Sequence, residues 1–157
     1  MDKIVVLGTG TALVTNYYNT CFAYFHNNEI FMVDGGSGDG ILTQMKNAGI
    51  QWQDVHDLFV THEHTDHLFG SISAIRYFGY LMFANKYEGE LRVYCHQELL
   101  EKIVAICSMV LRPADREQFG KRTHFIPVCD GETRNIIGRD LTFLTSIPPR
   151  RNSLVSK

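Results

Sequence analysis

Four side chains that can bind a metal ion lie within six residues of each other, at His62, His64, Asp66 and His67. Residues two apart on an extended segment face the same side, so His62 and His64 could share one ion. Asp66 and His67 could then bind a second ion. Imidazole and carboxylate together suit Zn²⁺, and they also suit Mn²⁺ or Fe²⁺. A single histidine is usually a surface or core residue, but this pattern is much harder to explain in that way.

The elements on either side of the cluster indicate a loop between a strand and a helix. Residues 57–60 are typical of a short buried strand, and an apolar stretch with helical spacing begins at Leu68. Such a loop lets side chains from different chain directions converge on one point. We therefore expect His62 and His64 on the extended part, and Asp66 and His67 where the helix begins.

The rest of the chain alternates between strand and helix patterns. Strands are predicted at residues 3–7, 20–26, 29–34, 57–60, 91–95, 123–128 and 140–145. Helices are predicted at about 38–48, 67–83 and 97–110, the second with an apolar stripe at Leu68, Ile72, Ile75, Phe78 and Met82. This alternation predicts an α/β layered domain.

Composition is that of an ordinary globular domain. The chain has 157 residues, of which 45% are hydrophobic and 20% are charged. We expect a cytoplasmic protein, because the N-terminus runs directly into a strand pattern and no apolar segment is long enough to cross a membrane. The cysteines are predicted to be buried free thiols, and no Cys-x-x-Cys pair suggests a cysteine zinc site. They are Cys21, Cys95, Cys107 and Cys129.

Charge is unevenly distributed along the chain. Residues 1–111 carry 6 basic and 12 acidic side chains, a net charge of −6, and residues 112–157 carry 9 and 5, a net charge of +4. A basic C-terminal part could contact nucleic acid. The basic residues are scattered, however, and no dense lysine or arginine block supports that alternative.

These motifs resemble the metallo-β-lactamase superfamily, and within it the ribonuclease Z-like branch. The resemblance depends on four segments: Gly8–Gly10, Asn19–Thr20, Phe31–Gly36 and Phe59–Gly70. It implies the first half of a four-layer αββα sandwich with two metal ions at the sheet edges. We interpret residues 1–157 as a single partial domain of this kind, with 148–157 as an irregular tail.

The resemblance also implies roles for individual residues. His62 and His64 would bind the first metal, and Asp66 and His67 the second. A metal-bound hydroxide would attack a phosphodiester, ester or amide, with Asp66 as the candidate for handling its proton. Asp34 resembles the aspartate that orients a ligand histidine in this family. The alternative for Asp34 is a turn residue before Gly35-Gly36.

Two departures from the family pattern qualify this prediction. Residues 14–19 lack the proline and basic pair that ribonuclease Z uses near tRNA, so tRNA 3′-end processing is not favoured and RNA is only one candidate substrate. The further ligands expected from the C-terminal half are not identifiable. The remaining histidines are interpreted as structural or surface residues, at His26, His56, His96 and His124.

The C-terminal residues do not continue the family pattern, since Pro148-Pro149 stops a strand and a basic segment follows. One coding of residues 141–157, with one added thymidine, reads LTFFDIHSTKAKQFGFK. This reading resembles the next family motif and puts a histidine in place of Ile147. We therefore hypothesise a frameshifted, truncated chain. The alternatives are a deliberately shortened segment and a genuine tail that binds an acidic partner.

Two functions remain open at this point. The first is a metal-dependent phosphodiesterase similar to ribonuclease Z. The second is a fragment with an incomplete metal site and little hydrolysis. Because half of a sandwich leaves its inner sheet face uncovered, the second predicts a homodimer or aggregation. A nucleic-acid-binding module is the weaker third alternative.

Overall fold

The computed structural model of the chain describes residues 1–144. Six strands form one sheet in chain order: β1 (Asp2–Gly8), β2 (Cys21–His26), β3 (Glu29–Val33), β4 (Val55–Phe59), β5 (Leu91–His96) and β6 (Thr123–Val128). A separate hairpin contains β7 (Thr133–Ile136) and β8 (Arg139–Thr142), and the helices are α1 (Gly40–Asn47), α2 (Thr65–Phe83), α3 (Gln97–Val110) and α4 (Pro113–Arg116). The predicted tail at 148–157, with Ile147, lies outside the described residues.

The pairing of neighbouring strands changes once across the six-stranded sheet, from antiparallel to parallel. The pairs β1–β2 and β2–β3 are antiparallel, whereas β3, β4, β5 and β6 are parallel. The carboxyl ends of parallel strands meet at one edge of a sheet, where ligand sites form in open α/β folds. Asp34 directly follows β3 and Thr61 is the second residue after β4, so both lie at this edge.

The main core lies between the sheet and the helices. The predicted apolar stripe of α2 is confirmed, because its five members are all buried. They pack with sheet residues such as Met32, Leu58 and Val93, each fully buried. Each such aliphatic side chain stabilises the fold by about 1.5–3 kcal/mol on burial. This core holds α2 against β3 and β4, and so fixes the loop between β4 and α2.

The opposite face of the sheet is partly covered by the β7–β8 hairpin. Ile136 and Phe143 pack there with Phe31, Val33 and Tyr94. The expectation of a wholly uncovered face is therefore wrong. The sequence of β7 is polar, so the apolar pattern does not predict this strand. Towards the β1 edge the face is still open: Ile4 and Val6 are 62% and 59% exposed.

The cysteine prediction holds for three of four residues. Cys21, Cys95 and Cys107 are buried, but Cys129 is exposed because it lies just after the end of β6. Burial raises the pKa of each of the three buried thiols to about 12. Within residues 1–144, no helix is both long and apolar enough to cross a membrane.

Candidate metal centre

The predicted cluster lies on the connection from β4 to α2. Residues 61–64 lie outside regular secondary structure, with His64 extended, and α2 begins at Thr65, two residues earlier than predicted. Asp66 and His67 therefore occupy the first helical turn, where the helix dipole favours a carboxylate. The amide of His67 donates to the carbonyl oxygen of His64 at 3.0 Å. The turn into the helix brings the two halves of the motif together.

A backbone contact between two glycines places α2 beside the loop that follows β3. The Gly70 amide donates to the Gly36 carbonyl at 2.8 Å. A Cβ on Gly70 would lie 1.9 Å from the Gly35 oxygen, and one on Gly35 would lie 2.1 Å from the Ser71 nitrogen. Only glycine at both positions allows this approach. It brings Asp34, at the end of β3, to His67.

Asp34 is the hub of the hydrogen bonds in the cluster. It is only 4% exposed and adopts a positive φ of 57°. Its Oδ2 accepts from His67 Nδ1 at 2.8 Å and from the Thr61 hydroxyl at 2.7 Å, and its Oδ1 accepts from the Thr61 amide at 2.8 Å. Since the carboxylate only accepts, Nδ1 of His67 carries the hydrogen, and Nε2 keeps a lone pair that can bind a metal.

Thr61 extends the same arrangement to His62. Its hydroxyl oxygen lies 2.8 Å from His62 Nδ1. The hydroxyl hydrogen is used on Asp34, so His62 donates from Nδ1 and its Nε2 keeps a lone pair. Burial first, and then the neighbouring His67, lower the pKa of His62. Both favour the neutral imidazole, which is the form that binds a metal.

The donor atoms of the cluster form two pairs. His62 Nε2 and His64 Nδ1 are 3.1 Å apart, and Asp66 Oδ2 and His67 Nε2 are 3.5 Å apart. Two donors of one tetrahedral zinc, each bonded at about 2.0–2.2 Å, are separated by about 3.3–3.6 Å. The rings of His62 and His67 are 4.1 Å apart between centroids, so the pairs are adjacent. Each pair has the spacing that two ligands of one ion require.

The donor set in the described part of the chain is nevertheless incomplete. Within residues 1–144, no group of three or more histidine, cysteine, aspartate or glutamate side chains is arranged to hold a metal ion. A catalytic zinc usually has three protein ligands. The residues present fit the metal only in part, with two donors for each ion. The assignment of His62, His64, Asp66 and His67 as ligands stays a prediction.

The loop between β1 and β2 also reaches this site, which the sequence pattern does not reveal. The Ala12 amide donates to Asp66 Oδ2 at 3.0 Å. A backbone donor has no signature in residue type, so Ala12 could not be found from the sequence. Thr61 could have been suspected from its place before His62, although nothing in the pattern assigns it a partner.

An open groove of about 730 Å³ adjoins His64 and Asp66. Its walls are mainly apolar and come from the β1–β2 loop, α2 and α3, with Leu13, Leu68, Phe69 and Ile106 among them. Among the described residues that line it, Lys102 is the only cation, and it pairs with Glu63. The groove can therefore accept an apolar group next to the metal-binding atoms.

Comparison with known proteins places these features in a family. The model of a family described as Anti-Pycsar protein Apyc1 matches residues 2–144. A ribonuclease Z of Phocaeicola vulgatus is 30% identical over 98 residues, which are 62% of this chain and 30% of that protein.

Two solved structures have the same fold. The metallo-β-lactamase fold protein YhfI of Bacillus subtilis has a TM-score of 0.68 at 19% identity, over 94% of this chain and 55% of that one. A diphosphatase of the PhnP family has a TM-score of 0.70 at 12% identity, over 90% and 56%. The α/β fold of the metallo-β-lactamase superfamily is thereby confirmed. The chain spans about half of each structure and under a third of the ribonuclease.

Proposed function

Since the chain belongs to the family described as Anti-Pycsar protein Apyc1, we propose that it carries the metal-binding part of a metal-dependent phosphodiesterase. The observation that supports this most directly is the pair of donor spacings, 3.1 Å and 3.5 Å, beside a carboxylate that orients two imidazoles. The relatives are named as a ribonuclease and a diphosphatase, and both names denote cleavage at phosphorus.

In this proposal His62 and His64 hold one ion, and Asp66 and His67 hold the other. Zn²⁺ is the first candidate, and Mn²⁺ and Fe²⁺ are the alternatives. Two bound divalent ions would supply an activated water and stabilise the attacking and leaving oxygens. The protein's own contribution is orientation: Asp34 fixes His67 directly and His62 through Thr61. Asp66 is the proposed acceptor of the water proton.

The groove is the proposed binding site for the substrate. Phe69 is 48% exposed on its wall and can contact an aromatic or apolar leaving group. Lys102 has ammonium hydrogens beyond the one used on Glu63 and can meet a phosphate oxygen. A phosphodiester with an aromatic substituent fits this combination. RNA stays among the candidates, although the basic residues that would contact tRNA are absent from residues 14–19.

A second candidate is an incomplete site with little hydrolysis, as a single partial domain. It is favoured by the finding that no three donors in residues 1–144 could hold an ion together. In this case the exposed Ile4 and Val6 would promote a homodimer or aggregation. The four free cysteines fit the proposed reducing, cytoplasmic setting in either case.

Metal titration and turnover separate the two candidates. Metal-free protein is titrated with Zn²⁺ and Co²⁺ by calorimetry, and turnover of bis(p-nitrophenyl) phosphate is then measured. The phosphodiesterase predicts about two ions per chain and hydrolysis that His64→Ala abolishes. The control His124→Ala, on β6, leaves both unchanged. One ion or none, with no turnover above that of the free metal, would overturn the phosphodiesterase and support the incomplete site.

A further inference from the structure

We propose that Asn19 is a positioning residue for Asp66 and that it acts through the backbone of Ala12. The inference rests on the proposed role of Asp66 in the metal site. The Asn19 side-chain amide donates to the Ala12 carbonyl at 2.8 Å. The amide of the same Ala12 donates to Asp66 Oδ2 at 3.0 Å. Asn19 therefore holds the carbonyl of Ala12, and the amide of Ala12 contacts the Asp66 carboxylate.

Asn19 is more firmly anchored than the exposed residues of the same β1–β2 loop. It is 4% exposed, and the Ser37 hydroxyl donates to its Oδ1 at 2.6 Å. That bond fixes which end of the amide carries the hydrogens, so Nδ2 faces Ala12. By contrast, Leu13 and Tyr17 of the same loop are 94% and 68% exposed. Burial of these two side chains therefore contributes little to the position of this part of the loop.

Ala12 adopts a conformation that it would leave without support. Its φ is 47°, in the left-handed region that residues with a Cβ disfavour. Strained backbone of this kind persists where the surroundings impose it, and it is concentrated at functional sites. The Asn19 bond is one of the contacts that impose it. Loss of the bond would let Ala12 relax and withdraw its amide from Asp66.

Loss of the contact between Ala12 and Asp66 should affect one donor pair and not the other. Asp66 belongs to the pair with His67, whereas Ala12 and Asn19 have no hydrogen bond to His62 or His64 among the described contacts. Removing the Asn19 amide should therefore weaken the second ion selectively. It should also slow turnover through kcat, because Asp66 is the proposed acceptor of the water proton.

The test compares Asn19→Asp with Thr20→Val. The aspartate has the same shape but no hydrogen to donate to Ala12. Thr20→Val removes a different bond of the same loop, from the Thr20 hydroxyl to the Gly10 carbonyl at 3.0 Å. In Asn19→Asp we expect affinity for the second Co²⁺ to fall about tenfold or more, as for lost outer contacts of metal ligands. We expect the first ion to bind as before, and Thr20→Val to retain both.

A second measurement needs no metal. Hydrogen exchange at the Ala12 amide should accelerate in Asn19→Asp and in Asp66→Ala, but not in Thr20→Val. Equal effects of Asn19→Asp and Thr20→Val on metal affinity, or an unchanged Ala12 amide in Asn19→Asp, would overturn the inference. If the wild-type chain binds no metal, the proposed function fails, and the exchange rates still decide whether Asn19 positions the Ala12–Asp66 contact.

Discussion

Asp34 accepts a hydrogen bond from His67 Nδ1 at 2.8 Å, although the two residues are 33 positions apart in the chain. The same Asp34 oxygen accepts from Thr61, whose hydroxyl oxygen in turn faces His62. One buried carboxylate therefore selects the tautomer of two imidazoles, one in each donor pair. A change at Asp34 should affect both proposed metal ions together.

Asp34→Asn should weaken metal binding with little change of shape. Whichever way the amide is turned, one of its two atoms no longer accepts, so either the His67 bond or the Thr61 amide bond is lost. We expect about 10–100-fold weaker binding of Zn²⁺, the range for lost outer contacts of metal ligands. Calorimetric titration measures it. Asp54→Asn, at an exposed position, is the matched control, and equal affinities of the two variants would contradict the role of Asp34.

Thr61→Val should separate the two imidazoles. Valine keeps the branched shape but removes the hydroxyl between Asp34 and His62, and the direct bond from His67 to Asp34 stays. We expect weaker binding of the ion at His62 and His64, with the other ion affected less. The hydroxyl makes two hydrogen bonds, so the expected loss in free energy of unfolding is about 1–3 kcal/mol. Co²⁺ titration checks the first point and urea unfolding the second, with Thr133→Val as the control.

The sequence predicts the position of the cluster because local patterns determine it. A buried strand, four metal-binding side chains and an apolar helical stripe are all readable within residues 57–83. The partners that hold the cluster are not readable in the same way. Ala12 contributes a backbone amide, and Gly35 and Gly70 contribute the absence of a side chain. Contacts of that kind depend on how distant elements meet, and residue type alone does not specify them.

The same distinction explains the errors at the sheet. Residues 133–136 have a polar sequence, so the pattern gives no strand, yet they pair with residues 139–142 to form the hairpin. Ile136, at the end of β7, then covers part of the inner face. The exposure of Cys129 differs from the prediction for a related reason. Its apolar neighbours predict burial, whereas the strand ends one residue earlier.

Phe69→Ala should affect substrate binding without affecting the metal. The Phe69 side chain lies on the groove wall, and none of its atoms is part of a donor pair. We expect a several-fold higher KM for bis(p-nitrophenyl) phosphate and unchanged Zn²⁺ affinity. Phe83→Ala is the matched control, because Phe83 is 60% exposed at the far end of the same helix. An unchanged KM would show that the aromatic group binds elsewhere.

Gly70→Ala should be among the most destabilising single methyl additions in the chain. The new Cβ would lie 1.9 Å from the Gly35 carbonyl oxygen, and backbone cannot move aside as a flexible side chain can. Overpacking usually costs about 1–3 kcal/mol, and we expect the upper part of that range or more. Urea unfolding measures it against Ser73→Ala on the same helix. A loss as small as that of Ser73→Ala would show that α2 can move away from Asp34.

The attachment of the β7–β8 hairpin should depend on pH through Asp2. Asp2 lies 2.6 Å from His26 Nδ1, and Arg139, at the start of β8, donates to its other oxygen at 2.8 Å. The hydrogen bond from His26 first, and then that from Arg139, lower the pKa of Asp2 from 3.8 to about 2. Because the folded state binds the proton more weakly, this contribution is complete above pH 4 and is lost as the pH falls towards 2. Amide exchange in β8 should therefore accelerate between pH 4 and pH 2.

In Arg139→Gln the exchange should already be faster at pH 5 and should change less on acidification, since one cause of the lowered Asp2 pKa is gone. The same pH response in both proteins would show that Asp2 does not hold the hairpin.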